Sequence, residues 1–356
     1  MIDLSNIDFV ATTIALLTIF GIWSIMAISL NLEYGVAGIP NFGQALFVSL
    51  GAYTTGVMYS RVMPLLAGHD ALDPCDADTL ASALQLRSDI AQSMPVATFV
   101  TVAIALVVAM FISGLVGYVM SLITLRLKEE WFLALVLLVG GEIIRILVRG
   151  YKPIICANSG IAGIAQPFRS ITDDTQLGTI LFMVMVLVLA LIVYWYSERL
   201  IRSPYGRLLK AVRENDAVAQ SLGKDVVRIR ARVMFIGSAI AAVAGVLFAL
   251  NLGLVSTNDF VVTLTLDVWV MVVLGGLGNM RGALLGAAVI TLLRRVTQVA
   301  AIQLNQSGVD LEFNFVRFIL LGIILLIMLR YRPQGLLPES RRTTVAHDAL
   351  LTDANK

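Results

Sequence analysis

Nine apolar runs, each close to the length of a lipid bilayer, constrain this chain more than any other feature. Charge-free or nearly charge-free stretches lie near residues 10–32, 42–62, 96–125, 131–149, 176–197, 232–252, 261–280, 283–304 and 315–331. A transmembrane helix needs about 20 predominantly apolar residues. The runs are blocks of Leu, Val, Ile, Ala and Met without the polar/apolar alternation of lipid-facing strands, so they predict helices rather than a barrel. With 58% hydrophobic and 14% charged residues, a water-soluble globule is excluded because its polar groups could not cover its apolar ones. The expectation is an all-α polytopic membrane helical bundle of about nine spans, eight to ten, in one membrane domain over 1–340 with a tail at 341–356.

Basic residues set the expected sides. Nine of them fall between Arg199 and Arg232, and with the Arg126–Glu130 turn and Arg330, Arg332, Arg341 and Arg342 they mark the cytoplasmic face. The insert at 63–95 carries Asp70, Asp73, Asp76, Asp78 and Asp89 against Arg87 alone and is expected outside. Alternating the spans then places the N-terminus outside and the C-terminus inside. The first run lacks a preceding Lys or Arg and is too long for a signal-peptide core, so it reads as a retained span. The small net charge of +2 gives no footprint for nucleic acid.

One stretch breaks its own helix. "NLEYGVAGIPNFGQALF", Asn31 to Phe47, places Gly35, Gly38 and Pro40 within six residues, which frees backbone polar groups that lipid cannot satisfy. Such a break belongs inside protein or beside a polar cavity. Asn41 is expected as the cap of the helix that follows, and Asn41 and Gln44 are the leading candidates to meet an anionic group at its N-terminus. A packed turn with Asn41 only capping is the alternative. "AGIPNFGQALF" from Ala37 aligns without gaps on "GGLGNMRGALL" from Gly275, which is either a parallel repeat or chance similarity. Gly38, Asn41 and Gln44, their second-copy counterparts Gly276 and Asn279, and Asp267 are therefore the substrate-path candidates.

Ionisable residues inside spans are functional hypotheses by default. Glu142 and Arg145 are three apart on one helix face and are expected to neutralise each other. Asp267 has no cation nearby in sequence, and Arg294 or Arg295 could supply its partner. Both histidines, His69 and His347, fall in loops, which disfavours a proton relay, and no set of catalytic groups sits at one depth. Cys75 and Cys156 are too far apart in sequence for a metal motif. A disulfide and two free thiols are both open, the free thiols being the plainer reading. A second Gly-rich stretch, "CANSGIAGIAQPF" from Cys156, with Arg149, Lys152 and Arg169 beside it, reads as an outer connecting turn.

The basic loop at 198–231 predicts a helix starting after Ser203 and Pro204, with an apolar stripe through Leu208, Leu209, Val212 and Ala219. That stripe needs a partner protein or the lipid headgroups. "SPYGRLLKAVRENDAVAQSLG", then "AIAAVAGVLFAL", then "VMVVLGGLGNMRGALLGA" resemble the permease subunits of branched-chain amino acid ABC transporters. "NLEYGVAGIPNFGQALFVSLGAYT" resembles the same family, and its M-type subunit more than the H-type. "GEIIR" followed by "NSGIAGI" falls where the family has a similar Gly-Glu and Gly-rich pair. The resemblance runs from about Leu30 to Pro338, interrupted by the insert.

The resemblance implies a multi-pass permease of the cell membrane that binds no cofactor. Its partners would be a second, H-type permease, two cytoplasmic ATPases and an extracytoplasmic substrate-binding protein. The loop helix would be the coupling helix, with Gly206, Arg207, Ala211, Arg213, Ala219, Leu222 and Gly223 docking on the ATPase. No Gly-x-x-x-x-Gly-Lys-Ser/Thr loop occurs, since Gly223-Lys224 is followed by Asp225, so ATP hydrolysis is expected on other chains. The long acidic insert and the Glu129, Glu130, Trp131 cluster depart from the family pattern. Urea or short-amide permeases share the motifs, and a secondary transporter or channel is the alternative of another class.

Overall fold

The computed structural model describes residues 9–76, 78–124, 130–168, 175–306 and 313–339. The 341–356 tail with Arg341, Arg342 and His347, the Arg126–Glu129 part of the basic turn, and Arg169 lie outside the described residues. The chain is built from helices α1 (Phe9–Leu30), α2 (Gln44–Val57), α3 (Met63–Leu66), α4 (Leu80–Ser93), α5 (Pro95–Thr124), α6 (Glu130–Gly150) and α7 (Lys152–Ile155). These are followed by α8 (Thr175–Arg202), α9 (Pro204–Glu214), α10 (Asp216–Ser221), α11 (Val226–Leu252), α12 (Val262–Gly275), α13 (Met280–Gln306) and α14 (Phe313–Tyr331). Two π-helical stretches, Asn31–Val36 and Met58–Val62, continue α1 and α2.

Each of the nine expected runs falls on a helix. Among the described residues, six helical stretches are long and apolar enough to cross a membrane: Phe9–Val36, Pro95–Ile123, Gln176–Arg202, Val226–Leu252, Thr257–Gly275 and Met280–Val299. Outward-facing apolar side chains such as Val107 and Phe111 on α5 and Leu191, Ile192 and Trp195 on α8 give the bundle the surface that lipid requires.

At the centre, α11 packs on α2 and α5, α1 lies against α8 and α13, and α12 pairs with α13. Small residues make the close approaches, as expected where lipid supplies no hydrophobic drive between helices. A side chain at Gly51 would meet the Ala242 carbonyl, and one at Gly245 would meet the Val48 carbonyl, so α2 and α11 touch backbone to backbone.

The connections gather at two ends. At one, β1 (Ile161–Ala162) pairs antiparallel with β2 (Leu254–Val255), and Tyr59 donates from its hydroxyl to the Ala165 carbonyl at 2.9 Å. Cys75 and Cys156 are joined there in a disulfide with their Cα atoms 4.8 Å apart, against the plainer reading of free thiols. The disulfide ties the insert to the turn after α6, Arg61 of the preceding π-helical stretch donates to the Pro153 carbonyl, and Cys156 turns the chain with a positive φ of 59°. The stretch from Cys156 is a turn that leads into the two-residue strand β1. At the other end lie α9, α10, the two interruptions described next, and the segment after α14.

Candidate functional site

The first interruption leaves helical geometry at Gly38, whose φ of +73° suits glycine, and resumes at Gln44. Its free backbone groups are met by protein. Gly38 N donates to Tyr34 O at 3.0 Å and Ile39 N to Glu33 O at 2.9 Å. Trp269 Nε1 donates to Asn41 O at 2.9 Å, Ala45 N donates to Thr265 Oγ1 at 2.9 Å, and Arg213 donates to the Gly35 carbonyl. Phe42 stacks on Trp269 with ring centres 4.6 Å apart. The break is tolerated inside the protein because neighbouring segments supply partners for the freed backbone groups.

Its polar side chains form one chain of contacts. Asn41 Nδ2 donates to Glu33 Oε2 at 2.6 Å and to Gln44 Oε1 at 3.2 Å, while Gln44 Nε2 donates to Ser29 Oγ at 2.9 Å and Met26 O at 3.1 Å. Ser29 passes the chain on to Gly237 O at 2.8 Å. Glu33, Asn41 and Gln44 are all fully enclosed, with 0% exposure. Asn41 does not cap α2, because its Oδ1 accepts from Gly43 N at 2.7 Å in a turn before the helix and Gly43 holds the cap position. Sequence reasoning passed over Glu33, although a carboxylate inside a span was the signal. Its second oxygen, Oε1, has no hydrogen-bond partner among the described residues, and it lies where a side chain at Gly237 would project.

The second interruption repeats the first. Gly276 and Gly278 carry φ of +122° and +77°, and Asn279 Oδ1 accepts from Arg281 N at 3.0 Å, the same two-residue turn that Asn41 makes. Both copies end one helix and start another at the same end of the bundle, as a parallel repeat requires. The copies touch: Asn31 Oδ1 accepts from Gly278 N at 2.9 Å. The segment after α14 closes over this second break. Leu336 N and Leu337 N donate to Leu274 O and Gly275 O, both at 2.9 Å, and Asn279 Nδ2 donates to Leu337 O at 3.3 Å and Pro338 O at 3.2 Å.

Helix α9 starts where expected, with Ser203 Oγ accepting from Gly206 N at 3.3 Å. Its apolar stripe does not wait for a partner protein. The expected stripe is split over two helices, since Asn215 ends α9 and caps α10; Leu209 and Val212 of α9 and Ala219 of α10 are buried against this chain, and Gly206 sits so close to the Ile201 carbonyl that a side chain would not fit. Arg207, Ala211, Leu222 and Gly223 remain exposed, with Val218 and Leu222 as the large apolar side chains on that surface. Arg213 points inward. It binds the Gly35 carbonyl and pairs with Glu339 at 2.9 Å, while Lys210 pairs with the other Glu339 oxygen at 2.5 Å. Partial burial works to raise the Glu339 pKa, but the two cations outweigh it and hold the carboxyl below its usual range. Beside this cluster a basic cavity of about 540 Å³ is lined by Arg202, Arg207, Lys210, Asn279, Arg281 and Glu339.

The remaining candidates lie deeper. Asp267 pairs with Arg294 at 2.5 Å, and the guanidinium sits over the Trp23 ring, 4.3 Å from its centre. Glu142 and Arg145 form the expected pair at 2.6 Å. A narrow cleft of about 10 Å³ runs between the first interruption, α6 and α12, with Phe42, Ser49, Gly141, Glu142 and Thr265 on its walls. A space of that size holds about one water molecule. The structure thus brings Gly38, Asn41, Gln44, Gly276 and Asn279 to one end with Arg213, and leaves Asp267 on the α12–α13 contact.

Comparison with known proteins matches residues 12–329 to the model of the branched-chain amino acid transport system permease component. A probable branched-chain amino acid transport permease protein LivM from Methanocaldococcus jannaschii is 33% identical over 322 residues, covering 90% of this chain and 91% of the relative. The high-affinity branched-chain amino acid transport system permease protein LivM of Escherichia coli is 27% identical over 350 residues, covering 92% of this chain and 71% of the relative. The corresponding LivH protein of Salmonella typhimurium is 24% identical, with 90% and 92% covered. No solved structure matches the chain. The match over residues 12–329 and the relative 33% identical over 90% of this chain show the family: this chain belongs to the permease component family of the branched-chain amino acid transport systems.

Proposed function

We propose that this chain is the M-type half of the translocation path for branched-chain amino acids, formed with an H-type permease and driven by two cytoplasmic ATPases. An extracytoplasmic binding protein delivers the substrate to the disulfide-braced end. In this reading the chain crosses the membrane nine times, with its N-terminus outside and with α9 in the cytoplasm as the coupling helix. The observation that carries the proposal is that Arg213 of α9 binds the first interruption directly and reaches the second through Glu339. A push on the exposed Arg207, Ala211 and Leu222 surface is then felt at both breaks, where two packings of a short segment can differ by little energy.

The chain performs no covalent chemistry; it supplies the path and the two-state element. The charge pattern supports the orientation, since the α9 end holds the basic cavity and the opposite end holds the acidic insert. Gly38, Asn41, Gln44, Gly276 and Asn279 would be exposed to substrate only when the breaks open, and Asp267 with Arg294 would hold α12 to α13 while they do. The test is uptake of labelled leucine into vesicles carrying the whole complex, with unlabelled valine, isoleucine, alanine and urea as competitors. Suppression by valine and isoleucine is the expected result. Failure with leucine but uptake of urea would keep the architecture and overturn the substrate.

A further inference from the structure

The segment that follows the last helix does not leave the bundle. After Tyr331 the chain turns, with Gly335 N donating to Arg332 O at 3.0 Å, and lays Gly335 against Gly276 so closely that no side chain fits between them. Leu336 and Leu337 then supply two backbone donors to the last carbonyls of α12, and Asn279 holds the next two carbonyls of the segment. Gly276, Gly278 and Gly335 all have positive φ, at 122°, 77° and 83°, so this contact is built from residues chosen for close backbone approach. Glu339 follows, and its two oxygens are taken by Lys210 and Arg213 of α9.

Helix α9 therefore has separate connections to the two interruptions. One is direct, from Arg213 to the Gly35 carbonyl; the other runs through Glu339 and residues 334–338 to Gly275 and Asn279. We propose that residues 334–339 form a clasp that carries movement of α9 to the second broken helix, with Glu339 as the positioning residue that fastens it. The inference rests on α9 being the coupling helix. Without the clasp, α9 would reach the second break only by way of the first, through the Asn31–Gly278 contact, and the α12–α13 junction would lag behind it. The exposed docking surface of α9 does not include Glu339, which is three-quarters enclosed, so losing the clasp should separate docking from transport.

The experiment uses the assembled complex in vesicles and reads substrate uptake, ATP hydrolysis and ATPase retention in the same preparation. Glu339→Ala should keep the ATPases bound and hydrolysing while uptake per ATP falls about five-fold or more, the low end of ordinary coupling energies. Glu339→Asp should recover part of that ratio. Lys210→Met, which removes one arm of the pair, should lower the ratio in the same direction and carries the test should Glu339→Ala insert poorly. An unchanged uptake-to-ATP ratio in Glu339→Ala or in a well-inserted Lys210→Met overturns the clasp, as does loss of bound ATPase, which would place Glu339 in docking. Arg207→Glu in parallel separates the two ideas: retained ATPase there overturns the coupling role of α9 itself, and the clasp with it.

Discussion

At the residue scale, Asn41 holds the first break together by four bonds to Glu33, Gln44, Gly43 and Trp269, the last through its carbonyl. Replacing its side chain with Leu removes three of them and strands a buried carboxyl. Leaving a buried polar group without its hydrogen-bond partner costs about 1–3 kcal/mol. Asn41→Leu is therefore expected to lower both the thermal stability of the purified complex and uptake, and an unchanged melting temperature would show that the network does not bear on folding. Glu33→Gln keeps an acceptor for Asn41 and should retain near-normal assembly, whereas Gly237→Ala drives a methyl into the Glu33 carboxyl and should cost about 1–3 kcal/mol.

Glu339 makes a pH prediction at the same scale. Its carboxyl titrates below its unfolded value because Lys210 and Arg213 outweigh the effect of its burial. A depressed carboxyl pKa contributes stability that is present above the unfolded pKa, ordinarily about 4.3, and is lost as pH falls through the lower folded value. The difference in thermal stability between the wild type and Glu339→Gln should thus stay level from neutral pH down to about 5 and shrink only in more acid solution. A difference that vanishes near neutral pH would contradict the pairing.

At the element scale, the interruptions are placed by glycine where no other residue fits. Gly38 combines a φ of +73° with a position where a side chain would meet Arg213 Cγ at 2.8 Å. Gly38→Ala is expected to displace Arg213 and reduce uptake several-fold, while Gly68→Ala, at a φ of +78° with open space around it, carries only the backbone strain of about 1–2 kcal/mol and should transport normally. Equal loss in both variants, read by uptake at matched membrane levels, would point to backbone strain rather than to the Arg213 contact.

The helices themselves were legible in sequence because about 20 apolar residues leave lipid-embedded chain few choices, and both breaks were legible because Gly35, Gly38, Pro40, Gly276 and Gly278 interrupt otherwise apolar runs. Glu142 with Arg145 followed from helical spacing, and Arg294 was one of two partners foreseen for Asp267. What spacing could not carry was anything set by packing between distant segments. The π-helical turn at Asn31–Val36, the enclosure of Asn41 by Glu33, and the hold of Glu339 on α9 all join residues that sequence leaves unordered relative to one another. The stripe on α9 misled for the same reason. Its period was right, but the surface that covers Leu209 and Val212 belongs to this chain.

At the scale of the whole molecule, one end is braced and the other is jointed. The Cys75–Cys156 bond spans 81 residues of chain, and closing a loop of that size restricts the unfolded chain by about 4–5 kcal/mol on the entropic account. Cys75→Ser should lower thermal stability while leaving ATPase binding intact, because the disulfide and α9 lie at opposite ends. In the wild type, a thiol-reactive mass tag should add nothing before reduction and two labels after it; labelling without reductant would remove the brace.

The central claim is that α9 passes movement inward through Arg213 while meeting the ATPase through Arg207, and two charge reversals measured side by side test it most directly. Arg207 is exposed, whereas Arg213 binds the Gly35 carbonyl and Glu339. Arg207→Glu should lose the ATPase on co-purification; Arg213→Glu should retain it and still fail to import leucine. Normal leucine uptake by an inserted Arg213→Glu complex would contradict the account.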